Sequence, residues 1–283
     1  HLRVIFPLPA AIFVVVIMVF PIAYTIFLSF TNWNLTSGMP LSLVGIKSYV
    51  RVFSEPRFLA AIGRTFSFTG MALALETVLG ITIALVLHRE FRGKGLIKLF
   101  LLLPLVATPV AVGIVFNLFY DPTIGLANWA LSLVGLPKIE WVSNAATVLP
   151  SLVLVDVWQW TPMIALICLA GLASLPTDPY ESARVDGASS PQILFTITLP
   201  MLAPTILTAM ILRSIDALKT FDIIFAMTGG GPGYASETLN ILGFKYSFEY
   251  FKMGQSSVML VTLFAIVLLS SLGIMKLRGR AES

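Results

Sequence analysis

The chain has 283 residues; 57% are Ala, Val, Ile, Leu, Met, Phe, Trp, Tyr or Cys, about 64% with glycine added, and only 11% are charged. Soluble domains run at roughly 45–50% apolar and about 25% charged, so a water-soluble globule is excluded, as are a disordered chain, a coiled coil and a disulfide scaffold. The formal net charge of +4 comes from basic residues scattered over loops, without the aromatic-interleaved runs that mark nucleic-acid binding.

A bilayer core of roughly 30 Å needs about 20 apolar residues in a helix. Six runs are long enough: 7–30, 65–87, 96–120, 147–172, 200–218 and 256–275. They predict an all-α polytopic membrane protein with six transmembrane helices, in a single transmembrane domain over 1–283. Barrel strands need about 10 residues of alternating character, which these continuous runs lack. Pro21, Pro104, Pro109, Pro150, Pro162 and Pro204 fall inside the runs, and kinks rather than breaks are expected at them. The first run is followed by no small-x-small cleavage site and reads as a membrane anchor. The chain opens on His1 rather than Met, which reads as a natural start removed or lying upstream.

Six spans place both termini on one side. With that side in the cytoplasm, nine Lys and Arg lie inside, Arg3 among them, and eight outside. The total decides little, but Arg89, Arg92, Lys94 and Lys98 crowd one short loop, which favours cytoplasmic termini. The segment from Asn32 to Gly63 carries Trp33, Tyr49, Arg51, Phe53 and Arg57 and reads as short interfacial helices. Cys168 is the single cysteine, so no intrachain disulfide exists. His1 and His88 are the only histidines, which argues against a metal site; His88 reads as a surface residue.

Ionisable groups inside a span cost about 2.5–3.5 kcal/mol each on insertion scales and are functional candidates. In the fourth run Asp156, Gln159, Trp160 and Met163 share one helical face. That face offers a carboxylate and an amide for hydroxyls and an indole for a sugar ring; it equally suits packing against a neighbouring span. In the fifth run Arg213, Asp216 and Thr220 share a face, and Arg213 has Asp216 and Asp156 as possible ion-pair partners. Glu76 stands alone in the second run among Gly70, Ala72, Ala74 and Gly80, small residues that suit close helix packing.

Between the fourth and fifth runs, 176–200 reads as two short helices joined by a turn. Asp178 is placed as an N-cap, with Pro179 at the first helical position and Glu181 three residues after the cap. Gly187 stands where a left-handed residue ends that helix, and Ser190-Pro191 supplies a second cap and first-turn proline. A helix of about two turns is not stable alone and needs a support behind it or a partner in front. Local features alone also fit a capped connector lying on the membrane surface.

Glu181-Ser182-Ala183, then Gly187, then Ile197-Thr198-Leu199-Pro200 resembles the signature loop of the membrane subunits of binding-protein-dependent ABC importers. The family pattern is Glu-Ala-Ala, three residues, Gly, nine residues, Ile-x-Leu-Pro, and only Ser182 departs from it. The resemblance implies the type I importer permease architecture and a cytoplasmic coupling helix. Its contacts with the ATP-binding subunit fall at Tyr180, Glu181, Ser182, Ala183, Asp186, Gly187 and Ala188. Thr228-Gly229-Gly230-Gly231-Pro232, after Phe221–Met227, resembles the outer loop of the sugar-importer branch represented by the larger permease of maltose transporters. An ordinary flexible loop is the other reading.

The resemblance also implies a substrate pathway at Asp156, Gln159, Trp160, Met163, Arg213, Ala217 and Thr220. The corresponding places in the third run, Leu105 and Pro109, are apolar here. No P-loop occurs, since Tyr234-Ala235 follows the glycines where Lys-Ser/Thr is required. The chain is therefore expected to be no enzyme and to bind no cofactor, ATP and Mg belonging to partner subunits. The implied partners are a second homologous permease, two ATP-binding subunits, an extracytoplasmic solute-binding protein and a sugar or polyol. The implied location is a bacterial or archaeal plasma or inner membrane. An ion-coupled secondary transporter using Asp156 and Asp216 is the alternative.

Overall fold

A computed structural model describes residues 12–38 and 40–281, without the side chains of the last two. His1, Arg3 and the first five residues of the 7–30 run lie outside the described residues. Apart from one isolated bridge between Thr31 and Leu43, the regular structure described is helical. The helices are α1 (Ile12–Ser29), α2 (Lys47–Phe53), α3 (Pro56–His88), α4 (Lys94–Val106), α5 (Pro109–Phe119) and α6 (Leu126–Leu133). They continue as α7 (Val148–Ala173), α8 (Asp178–Val185), α9 (Ser190–Leu218), α10 (Asp222–Thr228), α11 (Leu239–Phe248) and α12 (Met253–Ala281). Five of these, α1, α3, α7, α9 and α12, are long and apolar enough to cross a membrane, and α4 with α5 makes a sixth if counted together.

The prolines are handled in three ways. Pro104, Pro162 and Pro204 sit inside continuous helices. Pro21 and Pro200 each follow a π-helical turn, in which the Phe20 N–H reaches Val15 O and the Leu199 N–H reaches Leu194 O. The widened register fits a ring that has no N–H to offer and crowds the preceding turn. Pro109 is different. Ala107 and Thr108 are extended, as a following proline ring demands, and α5 leaves α4 at 101°. The expected kink in the third span is therefore a break, with Pro109 as the first residue of the second arm.

Two compact units divide the chain. The first holds the described residues up to Thr65 together with Glu237–Ile266. The loop after α1 is pinned there: the Thr31 hydroxyl donates to Leu28 O at 2.7 Å, Ser48 Oγ to Thr31 O at 3.0 Å, and the Gly254 N–H to Trp33 O at 2.9 Å. A Cβ on Gly254 would stand 2.3 Å from Thr31 O, so only glycine lets α12 start against this loop. The Glu237 side chain is fully buried, and Arg57 forks onto it with two bonds of 2.7 Å. Lys245 reaches the same carboxylate at 3.1 Å, and Arg64 Nε donates to the Glu237 carbonyl at 2.8 Å.

The second unit holds Phe66–Ser236 and the described residues from Val267 onward. Its core is Ala84, Ile164, Cys168, Leu172, Leu202 and Ala209, where α3, α7 and α9 meet. Small residues set the spacing: a Cβ on Gly80 would lie 2.8 Å from Ile164, and one on Gly171 would lie 2.7 Å from Thr205. Gly70, by contrast, faces open space. The corner between α4 and α5 is held from α7, where Gln159 Nε2 donates to Ala107 O at 3.0 Å.

Candidate functional site

Three regions of the second unit carry the predicted site residues. In the loop between α7 and α9, α8 begins one residue earlier than expected. Thr177 is the flanking residue, Asp178 is already helical, and no side chain caps the start. The Tyr180 and Glu181 N–H groups instead bond Thr177 O at 3.0 and 3.1 Å. The other end is as expected: Gly187 has φ +76°, Ala188 N–H returns to Ala183 O at 2.9 Å and Gly187 N–H to Arg184 O at 3.1 Å. That six-to-one and five-to-two pairing is the Schellman closure. The next cap shifts by one residue also, to Ser189, whose N–H and hydroxyl both donate to Gln192 Oε1 at 2.8 Å.

No residue of α8 is buried. Glu181, Ser182, Asp186 and Gly187 are exposed, Tyr180, Ala183 and Ala188 half-exposed, and Val185 is 88% exposed. An open cavity of about 890 Å³ adjoins the helix, lined by Leu85, Tyr180, Glu181, Arg184 and Phe195 among others. His88 lines it too and is exposed, as read from the sequence.

Three of the charges within the spans form one buried cluster. Arg213 Nε donates to Glu76 at 2.6 Å, one terminal nitrogen donates to the same carboxylate at 3.0 Å, and that nitrogen also bonds Asp156. All three side chains are at most 1% exposed. The Trp160 ring lies 5.3 Å from the guanidinium carbon. Glu76, read as standing alone, is thus the principal partner of Arg213. Asp216 is not its partner; it pairs with Lys219 at 3.1 Å in an exposed i, i+3 contact.

A cavity of about 260 Å³ opens beside the cluster, lined by Pro109, Asp156, Trp160, Arg213, Asp216 and Thr220 among others. Four predicted pathway residues, Asp156, Trp160, Arg213 and Thr220, are thereby brought to one space. Gln159, Met163 and Ala217 are not among its lining: Gln159 braces the α4–α5 corner and Ala217 is buried.

The glycine-rich loop is tied to itself. Gly229 and Gly230 have φ +55° and +90°, and the Gly231–Pro232 peptide is cis. Thr228 and Ser236 share a hydrogen bond of 2.8 Å, and Ser236 Oγ donates to Gly231 O at 2.6 Å. Ser236 is completely buried. The loop forms a closed turn anchored by a buried hydroxyl.

A polytopic helical membrane protein that presents a short exposed helix between two spans and, elsewhere, a cavity lined with paired charges has the parts of a transport pathway component. Residues 76–277 match the family of binding-protein-dependent transport system inner membrane components, and the chain belongs to that family. It is 36% identical over 261 residues to the trehalose/maltose transport system permease of Thermococcus litoralis, covering 92% of this chain and 88% of that one. It is 34% identical to the sulfoquinovosyl glycerol transport permease of Agrobacterium fabrum, covering 91% and 84%. A trehalose transport permease of Mycobacterium tuberculosis is 32% identical, covering 96% and 87%. Among solved structures, a bacterial ABC transporter for alginate import superimposes with a TM-score of 0.83 at 21% identity, covering 99% of this chain and 95% of that one. The chain is a multi-pass membrane permease of an ABC importer, and its family is one of transport components rather than catalysts.

Proposed function

We propose that the chain, acting as one permease domain over its length, forms half of the translocation pathway for a sugar or polyol. A second homologous permease supplies the other half. Two ATP-binding subunits, which hold the ATP and Mg, dock on α8 and its counterpart, and an extracytoplasmic binding protein delivers the substrate. The termini are cytoplasmic in this arrangement. Residues 176–200 act as the coupling loop, with Glu181 offered to a basic group across the interface.

The observation that carries this reading is α8 itself: a helix of eight residues with none buried, closed by Gly187 and bearing a bare Val185. A helix this short is not stable alone and needs a support behind it or a partner in front. The relatives' named cargoes, trehalose, maltose and sulfoquinovosyl glycerol, support a sugar class. Membership of a family of binding-protein-dependent transport components speaks against ion coupling through Asp156 and Asp216.

The test is ATP hydrolysis by the assembled importer in lipid, with binding protein and candidate sugars. Glu181→Ala and Gly187→Pro are expected to abolish substrate-stimulated hydrolysis or to release the ATP-binding subunits. Unchanged assembly and stimulation in both variants would overturn the reading.

A further inference from the structure

A basic pocket of about 420 Å³ occupies the first unit where α1 ends and α12 begins. Its lining includes Lys47, Arg51 and Lys252 together with Trp33, Asn34 and Gln255, and it contains no carboxylate. None of the three cations has an ion-pair partner among the described residues. The pocket is a built structure: the Thr31, Ser48 and Gly254 bonds described above fix its walls, and Ser29 Oγ bonds the Tyr49 hydroxyl at 2.7 Å.

The same two helices hold a second space. Pro21, Ile22, Thr25 and Ile26 of α1 face Leu260, Val261 and Phe264 of α12 across a groove of about 230 Å³. Its one hydroxyl, on Thr25, is turned into its own helix, donating to Pro21 O at 2.8 Å. Ile26 is five residues from Thr31, and Leu260 five from Gln255. At 1.5 Å per residue the groove therefore opens about 8 Å deeper along both helices than the basic pocket, and it runs on to roughly 15 Å. Cations at the end of two spans, above an apolar groove between those spans, match the two ends of a lipid.

We propose that this is a binding site for an anionic glycerophospholipid. Its phosphate sits among Lys47, Arg51 and Lys252, and one acyl chain lies between α1 and α12. The absence of acidic lining selects for net negative headgroups over zwitterionic ones, and the groove selects for a lipid over a free phosphate.

The test uses the full chain in its native assembly, released from the membrane in mild detergent and examined by native mass spectrometry. Phosphatidylglycerol and phosphatidylcholine of equal chain length are added in parallel, with inorganic phosphate as competitor. One phosphatidylglycerol is expected to stay bound where phosphatidylcholine does not. Lys47→Gln, Arg51→Gln and Lys252→Gln, all at exposed positions, are each expected to weaken retention roughly fivefold. Ile26→Trp, which fills the groove, is expected to weaken it while leaving the assembly intact. Equal retention of the two lipids overturns the proposal. Displacement by millimolar phosphate, with no effect of Ile26→Trp, replaces it with a free-anion site. Glutamine variants that retain the lipid but lose stimulation by the binding protein show that an acidic protein surface occupies the pocket instead. An Ile26→Trp variant that keeps the lipid but loses a subunit shows the groove to be a protein interface, which also overturns it.

Discussion

The two buried charge clusters are mirror images in stoichiometry. In the second unit one guanidinium, Arg213, serves two carboxylates, Glu76 and Asp156, all within spans and at most 1% exposed. In the first unit one carboxylate, Glu237, serves two cations, Arg57 and Lys245, whose side chains stay 20% and 13% exposed. Both solve the same problem, since a buried charge is tolerated only when paired. They differ in what happens when the shared ion is lost. Two stranded carboxylates at most 1% exposed reach little water, whereas Arg57 and Lys245 are partly wet already. The shared ion should therefore be worth more in the span.

The largest effect is expected from Arg213→Met, which strands both carboxylates and should cost about 3–5 kcal/mol, read as a lower thermal unfolding midpoint and poor recovery of assembled importer. Adding Glu76→Gln and Asp156→Asn to it should restore most of the loss; failure to do so would show that the cluster matters for shape rather than charge. Glu237→Gln comes next, at about 2 kcal/mol, since only hydrogen bonds to charged groups are weakened and the two cations reach solvent.

The Glu237 cluster should also respond to acid. Burial pushes that carboxyl up, but the hydrogen bonds and charges of Arg57 and Lys245 outweigh it and hold the group below its ordinary value of 4.5. The unfolded chain then takes up the proton first. The stabilisation is complete above about pH 4.5 and drains away as pH falls through the lower folded value. A pH series of unfolding midpoints should show a slope in that range, flattened in Glu237→Gln. Lys245→Gln, which removes one partner at 3.1 Å and leaves the Arg57 fork, should cost about 1 kcal/mol. Lys219→Gln, in the exposed pair with Asp216, should move the midpoint by under about 0.5 kcal/mol equivalent and sets the scale of a surface pair.

Much of this was legible in the chain. Apolar runs of span length are legible because the bilayer imposes one length on all of them; five return as single long helices and the third as a bent pair. The loop around Glu181 and Gly187 is legible because a cap, a left-handed glycine and a fixed spacing are local properties. What was not legible is what depends on distant partners. Arg213 meets Glu76 across 137 residues of sequence, and no periodicity within one helix reports that pairing. The near choices, Asp216 at i+3 and Asp156, gave only one of the two true partners. The face through Asp156 and Gln159 was correctly seen as polar, yet Gln159 turns to a backbone carbonyl in another helix. The prolines were visible, but their three outcomes depend on whether the preceding residues had room for a π turn or had to extend. Ser236, the buried anchor of the glycine-rich loop, carries no sequence signal beyond its distance from Thr228.

The corner at Ala107–Thr108 has a consequence for the order in which the molecule is made. Chains are synthesised from the amino end, so α4 and α5 exist before Gln159 has left the ribosome. The Ala107 carbonyl, released from its helix by Pro109, finds its amide partner only when α7 arrives. The third span thus reaches its finished geometry only in company with the fourth.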